Sequence, residues 1–394
     1  MQSRISGKAA KQQQGPSGRK PVTGAERQPR WATAALVVAG LWSAIQLALG
    51  ISWLLAPTLL SGVALGNPFD PAVDANGADI SLLTAAGGST SAAVLTVLGG
   101  LGVVLVAVMA WARPARNARR PWWCVVVVTL AGLLAATLAL VLPDYRLIAT
   151  VGYTPAVIIE QLFSADPGIS FGQLYTQTTN AMIIMTLAGI AFAAAAVAFS
   201  RRMRQACPHC GRSSCDTGWM SKSAATRWGK WATTIAIVIP VGYAITRVAW
   251  ALGIPLGVSQ ELLDEIDSFV WLGAVLGAMA IGGAILTLGL VQRWGEVFPR
   301  WIPGLRGRRV PISLAVVPAL LVSVIVTSAG LMFCRMGLTG KFENNFPGSG
   351  SDIAAWLPEL FWPLWGVALA AAAIAYWLRR RGGCRYCGRG MDPV

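Results

Sequence analysis

The chain has 394 residues, of which 55% are apolar and only 12% are charged, and its mean hydropathy is +0.58. This composition excludes an ordinary soluble domain and a disordered protein, and it is typical of an integral membrane protein. The formal net charge of +15 must therefore be explained in a membrane setting before an acidic partner is invoked.

The chain begins with a polar segment. Its first 30 residues carry seven lysines or arginines, several Gln, Gly and Pro residues, and almost nothing that a core could bury. This composition predicts a disordered basic tail over residues 1–30, which could attract anionic lipid or simply fix the topology. The apolar segment that follows is too long for a signal peptide, so we expect the tail to be retained.

Eight apolar segments follow the tail, and each is long enough to cross a bilayer. The hydrocarbon core is about 30 Å thick and a helix rises about 1.5 Å per residue, so a crossing needs about 20 mainly apolar residues. The predicted spans are 32–55, 91–112, 122–142, 178–200, 231–254, 269–292, 312–334 and 357–378. The sequence thus predicts an all-α integral membrane protein with eight transmembrane helices. Residues 153–163 are also apolar but too short to cross, which predicts an external or re-entrant segment.

Two side-chain types accompany the predicted spans. Tryptophans lie at or near the ends of the segments, where an interfacial belt is expected. Small residues inside the segments permit close contact between helices. The glycines to which we assign this packing role are Gly99, Gly100, Gly102, Gly282 and Gly283.

An internal repeat relates the two halves of the chain. A shift of 177 residues places the alanine-rich run 189–199 on 366–376 and, without a gap, brings two pairs of cysteines into register. Alanine-rich helices resemble one another by chance, but the cysteines in register at their ends are not explained in that way. Four spans per half return the chain to the same face, which predicts two parallel four-helix repeats.

The repeat sets the expected division of the chain. The first repeat covers 31–212 and the second covers 231–389. A cytoplasmic linker, 213–230, joins them, and a short tail, 390–394, follows the second repeat.

The distribution of charge predicts the orientation. Of the 32 lysines and arginines, 28 lie in the N-terminal tail or in segments on the same side of the membrane, where only four of the 17 acidic residues occur. Lys and Arg are retained on the cytoplasmic side, so we expect a multi-pass protein of the plasma membrane with both termini in the cytoplasm. This bias accounts for the net charge, and no nucleic-acid partner is expected.

Each repeat ends in a cysteine motif, Cys207-Pro-His-Cys-Gly-Arg212 in the first and Cys384-Arg-Tyr-Cys-Gly-Arg389 in the second. In such a turn the two thiolates converge on one metal ion, nearby N–H groups point at the sulfurs, and the glycine tolerates a positive φ. Two turns supply four thiolates, which is the ligand set of a structural tetrahedral zinc site, and the cytosol keeps thiols reduced. We therefore predict a zinc cofactor whose ligands are Cys207, Cys210, Cys384 and Cys387.

Thiol–disulfide chemistry is the alternative for the first motif. Cys-Pro-His-Cys resembles the active site of periplasmic thiol oxidases of the thioredoxin fold. Here no strand precedes the motif, no βαβ pattern surrounds it, and the second copy lacks the Pro-His pair. His209, the single histidine, is expected on the outside of its turn, and Cys215 is expected to be a bystander or a spare ligand.

One basic residue lies inside a predicted span: Arg247, in the fifth. A charge at the bilayer centre costs about 2.5–3.5 kcal/mol on insertion scales, so such a residue is either functional or paired. Glu359, at the outer end of the last span, is the preferred partner, ahead of Glu160, Asp264 and Asp267. A functional pair of Arg247 and Glu359 would suit an anion transporter or permease with its pathway between the repeats.

The sequence carries no standard enzyme constellation, because it has one histidine, no paired carboxylates on a span, no G-x-S-x-G motif and no phosphate-cradling loop. We predict a non-enzymatic protein, surrounded by membrane lipids, whose zinc-clasped cytoplasmic face fixes the helices or docks a cytoplasmic protein. A small-solute transporter is the alternative, and a thiol–disulfide redox protein is the second alternative. The oligomeric state is left open.

The second half also carries a family resemblance. The runs Arg293–Pro303, Gly307–Pro311 and Arg247–Ile254 resemble a group of uncharacterised multi-pass membrane proteins from high-GC Gram-positive bacteria. The resemblance implies the membrane class. It brings no assigned activity and no functional residues.

Overall fold

The computed structural model describes residues 28–56, 65–77, 79–114, 122–163, 170–212, 218–341, 352–384, 386, 387 and 389. Most of the predicted basic tail, the first part of the linker with Cys215, and the tail 390–394 lie outside these residues. The described chain is helical. Its one strand-like pairing is an isolated antiparallel bridge between Val297 and Arg309.

Eight long helices form the described part of the chain, and α3 ends in a π-helical turn, Thr137–Val141. They are α1 Arg30–Leu55, α2 Gly88–Trp111, α3 Trp122–Val141, α4 Gln177–Met203, α5 Lys222–Ala251, α6 Val270–Leu288, α7 Ile312–Thr339 and α8 Trp362–Arg380. The other α-helices are Leu82–Ala85, Arg146–Phe163, Phe171–Leu174, Gln260–Glu265 and Leu357–Leu360. Single 3₁₀ turns cover Ala75–Gly77, Gly218–Met220, Asp267–Phe269, Arg293–Gly295 and Ile353–Ala355.

Seven helices, α1 to α7, are long and apolar enough to cross a membrane. The predicted all-helical class is confirmed, and these helices indicate a membrane protein. The eighth predicted span, 357–378, is divided into Leu357–Leu360 and α8, because a proline stands in the first turn of each helix and cannot continue the hydrogen bonding of a preceding one. The helix α8 carries two arginines in its last turn and is not among the seven helices that are long and apolar enough to cross a membrane. That α8 forms an eighth membrane span stays a prediction.

Two helices extend beyond their predicted segments. The helix α5 begins at Lys222, within the predicted linker, because the Ser221 hydroxyl accepts a hydrogen bond from the N–H of Ala224 and caps it. The apolar segment 153–163 is the second part of an amphipathic helix, Arg146–Phe163, which packs against α7. It is not among the helices that could cross a membrane.

The helices pack in the same order in the two halves. In the first half α1 packs against α2 and α4, and α4 packs against α3. In the second half α5 packs against α6 and α8, and α8 packs against α7. The halves meet where α7 packs against the π-helical turn of α3, and the Ser328 hydroxyl donates a hydrogen bond to the carbonyl oxygen of Pro143 there, at 3.0 Å.

Glycines allow the last two helices of each half to pack closely. A Cβ atom at Gly189 would lie 2.8 Å from the carbonyl oxygen of Ala135, and one at Gly366 would lie 2.7 Å from that of Ser323. Real Cβ atoms essentially never approach other atoms this closely, so alanine would force the helices apart. The two glycines correspond in the predicted repeat.

The predicted glycine contacts are found in the first half only. Gly99 and Gly102 approach α1, as expected, whereas a Cβ atom at Gly282 or Gly283 would meet nothing within 4 Å. The packing role predicted for these two glycines is therefore wrong. The α6 glycines that face α5 are Gly273 and Gly277, whose Cβ atoms would lie 3.6 and 3.4 Å from side-chain atoms of Arg247.

Hydrogen bonds from arginine side chains define one end of the bundle, which we call the basic face. Arg202, in the last turn of α4, donates to the carbonyl oxygen of Met109 near the end of α2. Arg379, in the last turn of α8, donates to the carbonyl oxygen of Leu290 just beyond α6, at 2.8 Å. In both halves the fourth long helix is thus tied to the second, and both cysteine motifs follow at this face.

We expect Gly366→Ala to lower the thermal unfolding temperature of the purified protein, because the new methyl group overlaps α7. Overpacking of this kind costs about 1–3 kcal/mol. Gly282→Ala is the matched control, since it makes the same change where there is space, and should leave stability unchanged or slightly raised. Equal shifts for the two variants would show that the close approach is not needed.

Candidate metal centre

The four predicted cysteine ligands lie together at the basic face. Cys207 follows α4 and Cys384 follows α8, and each is joined by the second cysteine of its motif. The sulfur atoms of Cys207, Cys210, Cys384 and Cys387 all lie within 4.8 Å of one another. Two contacts cross between the motifs, from Cys207 to Cys384 at 3.9 Å and from Cys210 to Cys387 at 3.6 Å. The four cysteines are therefore close enough to hold a metal ion.

The spacing of the sulfur atoms fits a tetrahedral thiolate site. With metal–sulfur bonds of about 2.3 Å, as for zinc, the edges of a regular tetrahedron are about 3.8 Å long. The two distances between the motifs lie on either side of this value. They are far longer than a disulfide bond of about 2.05 Å, and all four cysteines are free thiols.

Backbone hydrogen bonds give the two motifs the same shape. The N–H of Cys207 donates to the carbonyl oxygen of Arg212 at 3.1 Å, and the N–H of Cys384 donates to that of Arg389 at 2.9 Å. In the first turn the N–H of Gly211 also donates to the carbonyl oxygen of Cys207, and φ of this glycine is +74°. A residue with a side chain is strained at this angle, which accounts for glycine after the second cysteine.

The environments of the thiols differ. Burial raises the pKa of Cys207 and raises that of Cys210 to about 12. Burial also disfavours the thiolate of Cys384, but the N–H groups of Cys387 and Tyr386 donate to its sulfur and, with neighbouring thiols, lower its pKa to about 7. The amide groups beside the second cysteine thus favour negative charge on the first.

Reciprocal contacts, which the sequence analysis did not anticipate, lock the motifs together. The Arg212 guanidinium donates to the carbonyl oxygens of Arg389 and Gly382, at 3.1 and 3.0 Å, and the Arg389 guanidinium donates to the carbonyl oxygen of Arg212. The ring of His209 stacks on that of Tyr386 at a centroid distance of 3.6 Å. An arginine at the end of both motifs was visible in the sequence, but nothing there indicated that each arginine contacts the other motif.

The predicted intramembrane pair also comes together. The Arg247 guanidinium contacts a carboxylate oxygen of Glu359, and both residues are buried, with 8% and 5% of their surface exposed. Arg247 also reaches the carbonyl oxygen of Ala355 at 3.2 Å, and it lies over the rings of Tyr243 and Trp250, at 4.6 and 4.3 Å. These partners hold the Arg247 guanidinium at the end of the second half that lies away from the basic face. An anion that used Arg247 as its binding site would have to break the ion pair with Glu359.

A second ion cluster, with buried carboxylates and a partly buried arginine, joins separate segments of the first half, and the sequence did not reveal it. Arg146 contacts Asp74 and Asp144, both at 2.9 Å, and the Thr84 hydroxyl donates to Asp74 at 2.8 Å. Burial lowers the pKa of Arg146, but the carboxylates of Asp144 and Asp74 outweigh this effect and raise it. The three charges are up to 72 residues apart, so no local spacing could have revealed the cluster.

The fold and the cysteine site together indicate a helical membrane protein with a four-cysteine cluster that could hold a metal ion. No protein-family model matches the chain, and no curated protein and no solved structure matches it either. The interpretation of the site therefore depends on its geometry.

We expect Arg247→Leu to destabilise the protein by about 3–5 kcal/mol, because it leaves the Glu359 carboxylate buried without a partner. Arg247→Leu/Glu359→Gln should recover part of this loss, since it removes the unpaired charge. Thermal unfolding of both variants in detergent measures the effect, with Arg306→Leu as an exposed control. A wild-type unfolding temperature for Arg247→Leu would contradict a stabilising role for the pair.

Proposed function

We propose that this chain is a multi-pass plasma-membrane protein whose two four-helix repeats are clasped by a structural zinc ion at the cytoplasmic face. In this proposal the clasp holds the helices in a fixed arrangement and makes the cytoplasmic face a platform for a protein partner. The observation that carries it is the convergence of four sulfur atoms, two from each half, within 4.8 Å.

Paired contacts at corresponding positions support the two repeats. Cys207 meets Cys384 and Cys210 meets Cys387, with each pair separated by 177 residues. The arginine contact is reciprocal at the same separation. A parallel repeat with a twofold axis along the membrane normal predicts such contacts, since equivalent residues meet where the axis passes. The same axis would make α8 the eighth span, because α8 occupies in the second half the place of α4 in the first.

The donor set favours zinc in a structural role. Four cysteine sulfurs complete a tetrahedral coordination shell and leave no position for substrate or water, whereas catalytic zinc sites keep one open. All four cysteines are free thiols, and they converge on one volume between the motifs. This arrangement supports a metal site better than the alternative of a thiol–disulfide pair.

The surface around the clasp supports a docking role. Tyr386 projects from the second motif with 65% of its surface exposed, and its ring is held by stacking on His209. Exposed aromatic side chains with restricted mobility and neighbouring arginines are enriched in protein interfaces. We place this face in the cytoplasm because the great majority of the lysines and arginines lie on its side of the predicted topology.

The metal content of the purified protein tests the clasp. We expect about one zinc ion per chain in the wild type, as required for a Cys₄ site, and almost none in Cys384→Ser/Cys387→Ser, measured by elemental analysis of monodisperse protein. Cys124→Ser/Cys334→Ser removes two thiols elsewhere and should retain the metal. Loss of zinc should also lower the unfolding temperature, because the halves lose their link.

A wild-type preparation without zinc or another transition metal, with four thiols that react freely, would refute the clasp. Equal metal content in the two double variants would also refute it, because the metal would then lie elsewhere.

Metal retention should depend on pH, because each thiol must lose its proton to bind the ion. The raised pKa values of Cys207 and Cys210 mean that these thiols carry protons at neutral pH without metal. Each proton that the metal displaces lowers the apparent affinity about tenfold for every unit that the pH falls. Competition with a chromophoric chelator between about pH 8 and about pH 6, a range below the usual thiol pKa of about 8.5, should show this slope. A flat profile would argue against thiolate ligation.

A further inference from the structure

A cavity of about 380 Å³ opens at the basic face of the first half. It lies between the start of α1, the segment after α2, the end of α4 and the first cysteine motif. The residues that define its chemistry are Trp31, Pro114, Ala198, Arg201, Arg202 and Pro208. Two cations and an indole ring thus meet at the end of membrane-crossing helices, where the headgroups of a bilayer would lie.

The described residues satisfy only part of the hydrogen-bonding capacity of the two arginines. A guanidinium group has five N–H donors. Arg202 donates to the carbonyl oxygen of Met109, while its Nε is buried and has no hydrogen-bond partner in the described chain. Arg201 donates to the carbonyl oxygen of Pro208 at 3.4 Å and lies over the ring of Trp31 at 5.4 Å. Among the described residues, neither arginine forms an ion pair with a carboxylate.

The second half provides an internal comparison. Arg379 makes the same kind of contact as Arg202, since each donates from the fourth long helix of its half to a carbonyl oxygen near the end of the second. The Nε of Arg379 is likewise buried without a hydrogen-bond partner among the described residues, but Arg379 also pairs with the carboxylate of Glu296 at 3.0 Å. The chain thus supplies an anion to this arginine in one half, while in the other half the arginine borders a cavity.

We propose that this cavity binds the phosphate group of an anionic phospholipid, with Arg201 and Arg202 as its ligands. The phosphate would provide the counter-charge that Glu296 provides in the second half, and the ring of Trp31 would lie at the boundary between headgroup and acyl chain. Basic pockets between transmembrane helices are a recognised setting for lipid phosphates.

The chemistry favours a lipid over a soluble ligand. The cavity is open to the surroundings of the helix ends, and its lining combines the two cations with apolar residues such as Ala198 and Pro114. A soluble phosphate would use the cations alone, whereas a phospholipid also buries apolar surface against the exposed side of Trp31. The phosphate group is common to both ligands, so the experiment must separate them.

Lipid binding can be counted directly by native mass spectrometry of the full-length protein. The wild type is titrated in detergent with palmitoyl-oleoyl phosphatidylglycerol, with palmitoyl-oleoyl phosphatidylcholine, and with inorganic phosphate. We expect one phosphatidylglycerol molecule to bind in preference to phosphatidylcholine. Arg201→Gln/Arg202→Gln should weaken this binding about tenfold to thirtyfold, given the usual contribution of each basic residue. Arg300→Gln/Arg306→Gln removes the same charge from exposed positions of the second half and should bind normally.

A second variant tests the cavity without removing either arginine, so the proposal stays testable if the double arginine substitution disturbs folding. Ala198→Phe keeps both arginines and fills the cavity, so it should also abolish preferential phosphatidylglycerol binding. Equal binding of the two lipids by the wild type, or undiminished preference in both cavity variants, would overturn the proposal. Inorganic phosphate that displaced the lipid at equal concentration would assign the site to a soluble phosphate and would also overturn it. Each outcome is read from lipid binding and not from metal content, so failure of the zinc proposal would leave this test intact.

Discussion

Four sulfur atoms within 4.8 Å of one another are the main constraint at the basic face of this protein. Four thiolates at this distance would repel one another strongly without a shared cation, and the four sulfurs are close enough to hold one. The ends of α4 and α8 are fixed by the same contact, because each motif follows its helix after a few residues. The guanidinium groups of Arg212 and Arg389 reinforce it by bridging the two turns.

The opposite end of the molecule is organised differently in the two halves. Arg146 joins Asp74 and Asp144 in the first half, whereas Arg247 joins Glu359 in the second, and the two arginines do not correspond in the predicted repeat. A buried charge costs several kcal/mol without a partner, so each cluster must form when its half folds. The two halves thus make corresponding contacts where their cysteine motifs meet, and they make unrelated contacts at the opposite end.

The sequence was informative where local composition determines structure, and it failed where partners are distant. Runs of about 20 apolar residues predict helices because the backbone must satisfy its own hydrogen bonds in lipid, and the described helices lie close to the predicted segments. The cysteine cluster was predictable because the predicted repeat placed the two cysteine motifs on one face. Hydropathy says nothing about which side of a helix meets a neighbour, which explains the wrong role for Gly282 and Gly283. The sequence also did not reveal that α5 begins at a cap formed by Ser221. The ion cluster of Arg146 was missed because its members lie far apart in the chain.

The first cysteine motif connects the two proposed ligands. Pro208 belongs to the motif, and its carbonyl oxygen accepts a hydrogen bond from Arg201, which lines the cavity. An ideal Cβ atom at Gly211 would lie 3.0 Å from Nε of Arg201, so this side chain packs closely against the turn. If both proposals hold, an ion that fixes the turn would also fix a phosphate ligand, and a bound phosphate would hold the arginine against the turn. Linkage requires such an effect to be reciprocal, so the proposed ion and the proposed lipid would strengthen each other's binding by the same factor.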